Sequence, residues 1–146
     1  MCIVFLAAQG DTVLVGNNED YVFPRNRVWY LPAAGGEIGG ASFTAGQYAR
    51  VYYGYDGFPP QSGMNEAGLC FAITSTPPLV IEGASEKSEY EGDLVDKTMA
   101  ECATVEEALS LTSQYFIKGL ERACLFLGDK TGDSAVVEGN AVLRKE

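Results

Sequence analysis

The chain of 146 residues contains no histidine. That absence removes the usual base for a thiol or hydroxyl nucleophile, so Cys-His and Ser-His-Asp machinery are excluded within it. It also excludes any mixed Cys/His metal site. The four cysteines, Cys2, Cys70, Cys102 and Cys124, form no C-x-x-C and match no zinc spacing. Basic residues are scarce: 10 Lys and Arg stand against 20 Asp and Glu, a formal net charge of −10. Such a balance argues against nucleic acid and against an anionic membrane surface as partners. No stretch is apolar for long enough to cross a bilayer. The N-terminus has neither the basic start nor the small-residue cleavage site of a secretory signal, so action in the cytoplasm is the expectation. Internal repeats and low-complexity tracts are also missing.

What is present is an ordinary globular balance, 47% hydrophobic and 21% charged, enough for one domain over residues 1–146 with a core of its own. Seventeen glycines and eight tyrosines suggest many turns and strands. Cys2–Ala8 is continuously apolar, Gln9-Gly10-Asp11 supplies a turn, and Thr12–Gly16 resumes with β-branched residues. This predicts a hairpin buried on both faces or nearly so. Further strands are expected at Val28–Leu31, Arg50–Tyr53 and Leu69–Ser75, with a flexible Gly/Ala-rich stretch at Ala33–Gly40 and a polar loop at Ile81–Glu91. The period then changes. Leu94, Val95, Thr98, Met99 and Cys102 fall on one helical face. The T-x-x-E box Thr104–Glu107 opens a second helix through about Tyr115. Ala123–Leu127, Ser134–Val137 and Ala141–Leu143 return to strand. Antiparallel hairpins with the helices grouped together indicate an α+β fold.

Cys2 is the residue that carries chemistry. Once Met1 is removed, it becomes residue one and brings its own base, an α-amine with an unperturbed pKa of about 7.7–8.0. Cys70, Cys102 and Cys124 read as packing thiols. Three segments converge on Cys2 in the hairpin arrangement. Gly16-Asn17-Asn18-Glu19-Asp20-Tyr21 returns at the far end of the second strand, where a carboxylate could hold the amine or the thiol. Gly63-Met64-Asn65-Glu66-Ala67-Gly68-Leu69 fixes a tight hairpin entry. Ile73-Thr74-Ser75-Thr76 ends a strong strand, where a hydroxyl or backbone N–H could donate to an oxyanion.

Together with Leu127-Gly128-Asp129-Lys130-Thr131-Gly132-Asp133-Ser134-Ala135-Val136-Val137-Glu138, these segments resemble the choloylglycine hydrolase family, which includes bile salt hydrolases and penicillin V acylases. The resemblance implies an N-terminal nucleophile (Ntn) amidohydrolase on a four-layer αββα sandwich. It implies Cys2 as nucleophile and Asp20 as the aspartate beside its amine. Asn17 stands where bile salt hydrolases carry an active-site arginine, and Ser75 where they carry an oxyanion asparagine. Asn65 belongs to the shared turn, and with Asn17 and Ser75 it is a candidate substrate or oxyanion contact. The implied reaction is hydrolysis of a linear amide through an acyl-enzyme, with no cofactor or metal and a small-molecule amide as substrate. An acyltransferase of the same fold and a non-catalytic oligomeric fragment are the alternatives. The family continues beyond the equivalent of Glu146. The expectation is therefore an N-terminal portion that self-associates or binds the remaining portion.

Overall fold

The computed structural model describes residues 2–20, 22, 25–38, 41–81 and 87–145. Met1, Tyr21, Glu146 and most of the polar loop after Ile81 lie outside them. Strand β1 (Ile3–Gln9) and strand β2 (Thr12–Asn18) pair antiparallel, from Ile3↔Asn18 to Gln9↔Thr12. Gly10 closes the hairpin at φ 57°, a left-handed conformation that residues with a Cβ adopt only under strain.

The main sheet has seven antiparallel strands. They are β3 (Asn26–Leu31), β6 (Arg50–Tyr55), β7 (Ser62–Asn65), β8 (Cys70–Ser75), β9 (Ala123–Gly128), β10 (Ser134–Glu138) and β11 (Ala141–Arg144). Their spatial order is β11-β10-β9-β8-β7-β6-β3. Side chains alternate across a sheet. Leu31, Tyr52, Phe71, Leu125, Leu127, Ala135 and Val137 share one face and join Met99, Cys102, Val105 and Ala108 in the core. That face is covered by helix α1 (Leu94–Glu101) and helix α2 (Val105–Thr112). The β1–β2 hairpin lies on the opposite face. A Cβ added to Gly128 would stand 2.8 Å from Leu6 Cδ1, and one added to Gly132 would stand 2.8 Å from Ala8 Cβ. Glycine at these positions is what lets the hairpin sit so low on the sheet.

Both helices start where the sequence places them. Asp93 caps α1 by accepting from the backbone N–H groups of Val95 and Asp96. The Thr104 hydroxyl accepts from Glu107 N, and the Glu107 carboxylate reaches back to Ala103 N, one residue before the cap. Asp129, at the end of β9, accepts from Val105 N at 2.9 Å and so satisfies a second orphan donor of α2.

A buried ion pair ties α1 to the sheet. Arg50 and Asp96 meet at 2.7 Å with side chains 0% and 2% exposed. Tyr52 donates its hydroxyl to Asp96 Oδ1 at 2.6 Å, Thr44 N donates to Asp96 Oδ2, and Arg50 also donates to Thr44 O. Every charge in this cluster is hydrogen-bonded, the condition under which a buried pair is tolerated. Burial, and after it the neighbouring Asp96, pushes the Tyr52 phenol far above its ordinary value.

The α+β class holds, and several expectations change. Residues 33–40 were expected to be flexible; Gly36–Ile38 is instead strand β4, paired with strand β5 (Ala41–Phe43). Strand β7 was hidden in a segment read only as turn chemistry, because four residues containing glycine carry little strand signal. Helix α2 stops at Thr112. The hairpin is not buried on both faces: Ile3, Phe5 and Leu14 are 58%, 55% and 62% exposed. The described residues build three layers, helices, seven-stranded sheet and hairpin. Among them, no helix is long and apolar enough to cross a membrane.

Candidate active site

The hairpin register decides what surrounds Cys2. With Ile3 opposite Asn18 and Val4 opposite Asn17, the next position, Cys2, falls opposite Glu19. Cys2 and Asn17 share the face of Val4 and Leu6, which looks toward the main sheet. The Cys2 thiol contacts Glu19 Oε2 at 3.5 Å. Asn17 Nδ2 donates to Glu19 Oε1 at 2.6 Å. Asn17 Oδ1 is buried and has no partner among the described residues. Facing this cluster from β6 is Tyr55, on the same side of the sheet as Tyr53, their ring centroids 5.9 Å apart. Burial, then a hydrogen bond with Tyr53 and the charge of Glu19, pushes the Tyr55 phenol up to about 12. Asp20 is exposed. A hydrogen bond with the chain's amino terminus, and that terminus's charge, hold its carboxyl below the ordinary value. The result is a half-buried thiol on the hairpin face that looks toward the main sheet, with the Glu19 carboxylate against the sulfur.

Two other predicted residues sit elsewhere. Asn65 is 3% exposed, and its amide is fully engaged. Its Nδ2 donates to Met99 O at 2.9 Å and to Cys102 O at 2.7 Å, and its Oδ1 accepts from Leu69 N. With both N–H bonds committed to the end of α1, it is a structural tie and has no donor for an oxyanion. Ser75 alternates with Ile73 and Phe71, so its side chain projects on the helix side of the sheet, away from the hairpin. Of the two donors offered at this strand end, the hydroxyl therefore faces away from Cys2. Its backbone is another matter. Ile73 N bonds Gln61 O on the β7 side, and Thr76 N bonds Arg122 O on the β9 side. The same alternation points Ser75 N–H to the β7 side, at a level where β7, which begins at Ser62, has no strand.

The remaining thiols are unlike Cys2. Cys70 and Cys102 are buried, and burial pushes both up to about 11. Cys124 Sγ meets the Thr74 hydroxyl at 2.9 Å. Glu19 and Tyr55 were not singled out by sequence reasoning. Glu19 lay inside the motif already read, and two-residue alternation from Asn17 was the signal that could have found it. Tyr55 reaches the site by packing between distant segments, for which the sequence has no local marker.

Comparison with solved structures identifies the architecture. Penicillin V acylase from Agrobacterium tumefaciens superposes with a TM-score of 0.68 at 23% identity, over 98% of this chain and 49% of that one. Two variants of conjugated bile acid hydrolase from Clostridium perfringens also match. A cysteine-to-alanine variant gives 0.75 at 22% identity, over 100% of this chain and 51% of that one. An arginine-to-leucine variant gives 0.64 at 22%, over 87% and 45%. This chain has their fold. It spans about half the length of each of these structures. No protein-family model matches the sequence, and no curated protein matches it either.

Proposed function

We propose that this chain carries the nucleophile of a choloylglycine-hydrolase-like enzyme that cleaves a linear amide C–N bond. The observation that carries the reading is the hairpin register, which sets the Cys2 thiol against Glu19 in a chain with the acylase fold. With Met1 removed, the free amine belongs to Cys2 itself and accepts the thiol proton. The sulfur forms a bond to the amide carbonyl carbon, and the carbonyl electron pair moves to oxygen. Ser75 N–H is the donor offered to that oxyanion. The C–N bond then breaks as the amine's proton passes to the leaving nitrogen. Water adds to the thioester, gives one proton back through the amine, and releases the acid and the free thiol. Glu19 and Asp20 favour the ammonium form that appears midway.

The fourth layer of an αββα sandwich fits the outer hairpin face, where Ile3, Phe5 and Leu14 stand in solvent. That exposed face also favours the reading in which the 146 residues associate, with one another or with the portion that completes the fold. An acyltransferase differs only in that an added amine replaces water in the second step.

The test is release of a primary amine from a panel of N-acyl amides by protein whose intact mass shows Cys2 as residue one. We expect hydrolysis by that form and none by protein that retains Met1. Equal turnover by the Met1-bearing form would overturn the mechanism. A product that incorporates an added amine would select the transferase.

A further inference from the structure

The two side chains bonded beside the Cys2 thiol leave acceptors over. Glu19 lies against the thiol, and Asn17 turns its amide nitrogen to Glu19 at 2.6 Å. The opposite amide orientation would set two acceptor oxygens at that distance, so the network fixes which atom is left over. That atom, Asn17 Oδ1, is buried without a partner among the described residues. Arg25, just before neighbouring β3, and Arg27 within it are directed at a different carboxylate: they lie 3.9 Å and 3.3 Å from Asp56, and Asn26 between them pairs with Tyr55. An anion entering beside Cys2 would meet the Glu19 carboxylate and an unpaired carbonyl lone pair. An N–H, an O–H or an ammonium would satisfy both.

We propose that the Glu19–Asn17 pair beside Cys2 selects amides presenting a hydrogen-bond donor, neutral or cationic, beside the scissile bond, and disfavours those presenting a carboxylate or sulfonate there. The proposal rests on the reading of Cys2 as the nucleophile, and a measurement on the thiol alone separates the two. In a Cys124→Ser background, Cys2 is modified with a trimethylammonium-bearing and a sulfonate-bearing methanethiosulfonate. Each rate is normalised to that of 2-mercaptoethanol. We expect the normalised cation-to-anion ratio to fall by about tenfold in Glu19→Gln at physiological salt, the size of one close charge at a partly screened site. Asn17→Arg should lower it further. Glu91→Gln, an exposed change on the helix side of the sheet, should leave it unmoved. An unchanged ratio in both Glu19→Gln and Asn17→Arg overturns the proposal, as does an equal fall in Glu91→Gln, which would trace the preference to overall charge.

The substrate arm uses one acyl chain on ethanolamine, agmatine, glycine and taurine. The expected order in kcat/KM is ethanolamine and agmatine at least about tenfold above glycine and taurine. The reverse order overturns the selectivity. Failure to cleave any of the four alongside a Glu19-dependent thiol ratio counts against the amidase reading and for the role of the Glu19–Asn17 pair.

Discussion

The two faces of the seven-stranded sheet are built to different standards. On the helix side, polar groups are paired: Asp96 is held by Arg50, Tyr52 and Thr44 N, Asn65 has both amide ends engaged, and Asp129 caps α2. On the hairpin side, Asn17 Oδ1 has no partner among the described residues, the Cys2 thiol is only half-buried, and large apolar side chains face water. A face whose polar groups are paired holds a fold in one state. A face with an unpaired acceptor and a thiol within reach of solvent has something left to bind. Stability and chemistry are thus divided across one sheet, and substitutions on its two sides should behave differently.

The largest stability effect should come from the helix side. Asp96→Ala leaves Arg50 as a buried unpaired cation, and we expect a loss of about 3–5 kcal/mol in urea unfolding. Glu19→Gln on the other face should stay within about 0.5 kcal/mol. Comparable losses from the two would erase the contrast. A smaller helix-side effect is expected at Asp129. Burial opposes its charge, but hydrogen bonds from the Thr131 hydroxyl and from backbone N–H groups, Val105 included, outweigh it and hold the carboxyl below its ordinary 3.8. A carboxyl depressed in the folded state contributes stability above 3.8 and loses it as pH falls through the folded value. Asp129→Asn should therefore cost about 1–3 kcal/mol at neutral pH and flatten the decline in stability below pH 4. A parallel acid profile in the variant would remove Asp129 from that account.

The smallest stability effect belongs to the exposed hairpin. Ile3→Thr with Leu14→Thr should change unfolding by less than about 0.5 kcal/mol each. The same pair should reduce association of the parent chain in sedimentation at micromolar concentration. A parent chain that sediments as a monomer would show that this face needs no cover.

Legibility in the sequence followed the same division. Elements carried by local rules were readable. Gly10 marks the hairpin turn, the 3.6-residue spacing from Leu94 marks α1, and Thr104 with Glu107 marks the start of α2. The short pairs β4–β5 and β7 were not readable, since three or four residues with glycine hold no period. Cys2 stood out by position and by the missing histidine. Its neighbour Glu19 follows from the register, a pairing that no single residue announces. Asn65 illustrates the opposite failure. It belongs to a recognisable motif, but its amide serves the α1 terminus some 35 residues away in sequence, as its bonds to Met99 and Cys102 show. The Arg50–Asp96 pair, 46 residues apart, was equally invisible.

The central claim is that the Cys2 sulfur is the atom that takes the acyl group. Intact-mass spectrometry tests it most directly, on protein beginning at Cys2 and quenched in acid during turnover of an N-acyl amide. The account predicts one added acyl mass, mapped to the Cys2 peptide, released by hydroxylamine and absent from Cys2→Ala. Amide cleavage persisting at the parent rate in Cys2→Ala, with no adduct in the parent protein, would contradict it.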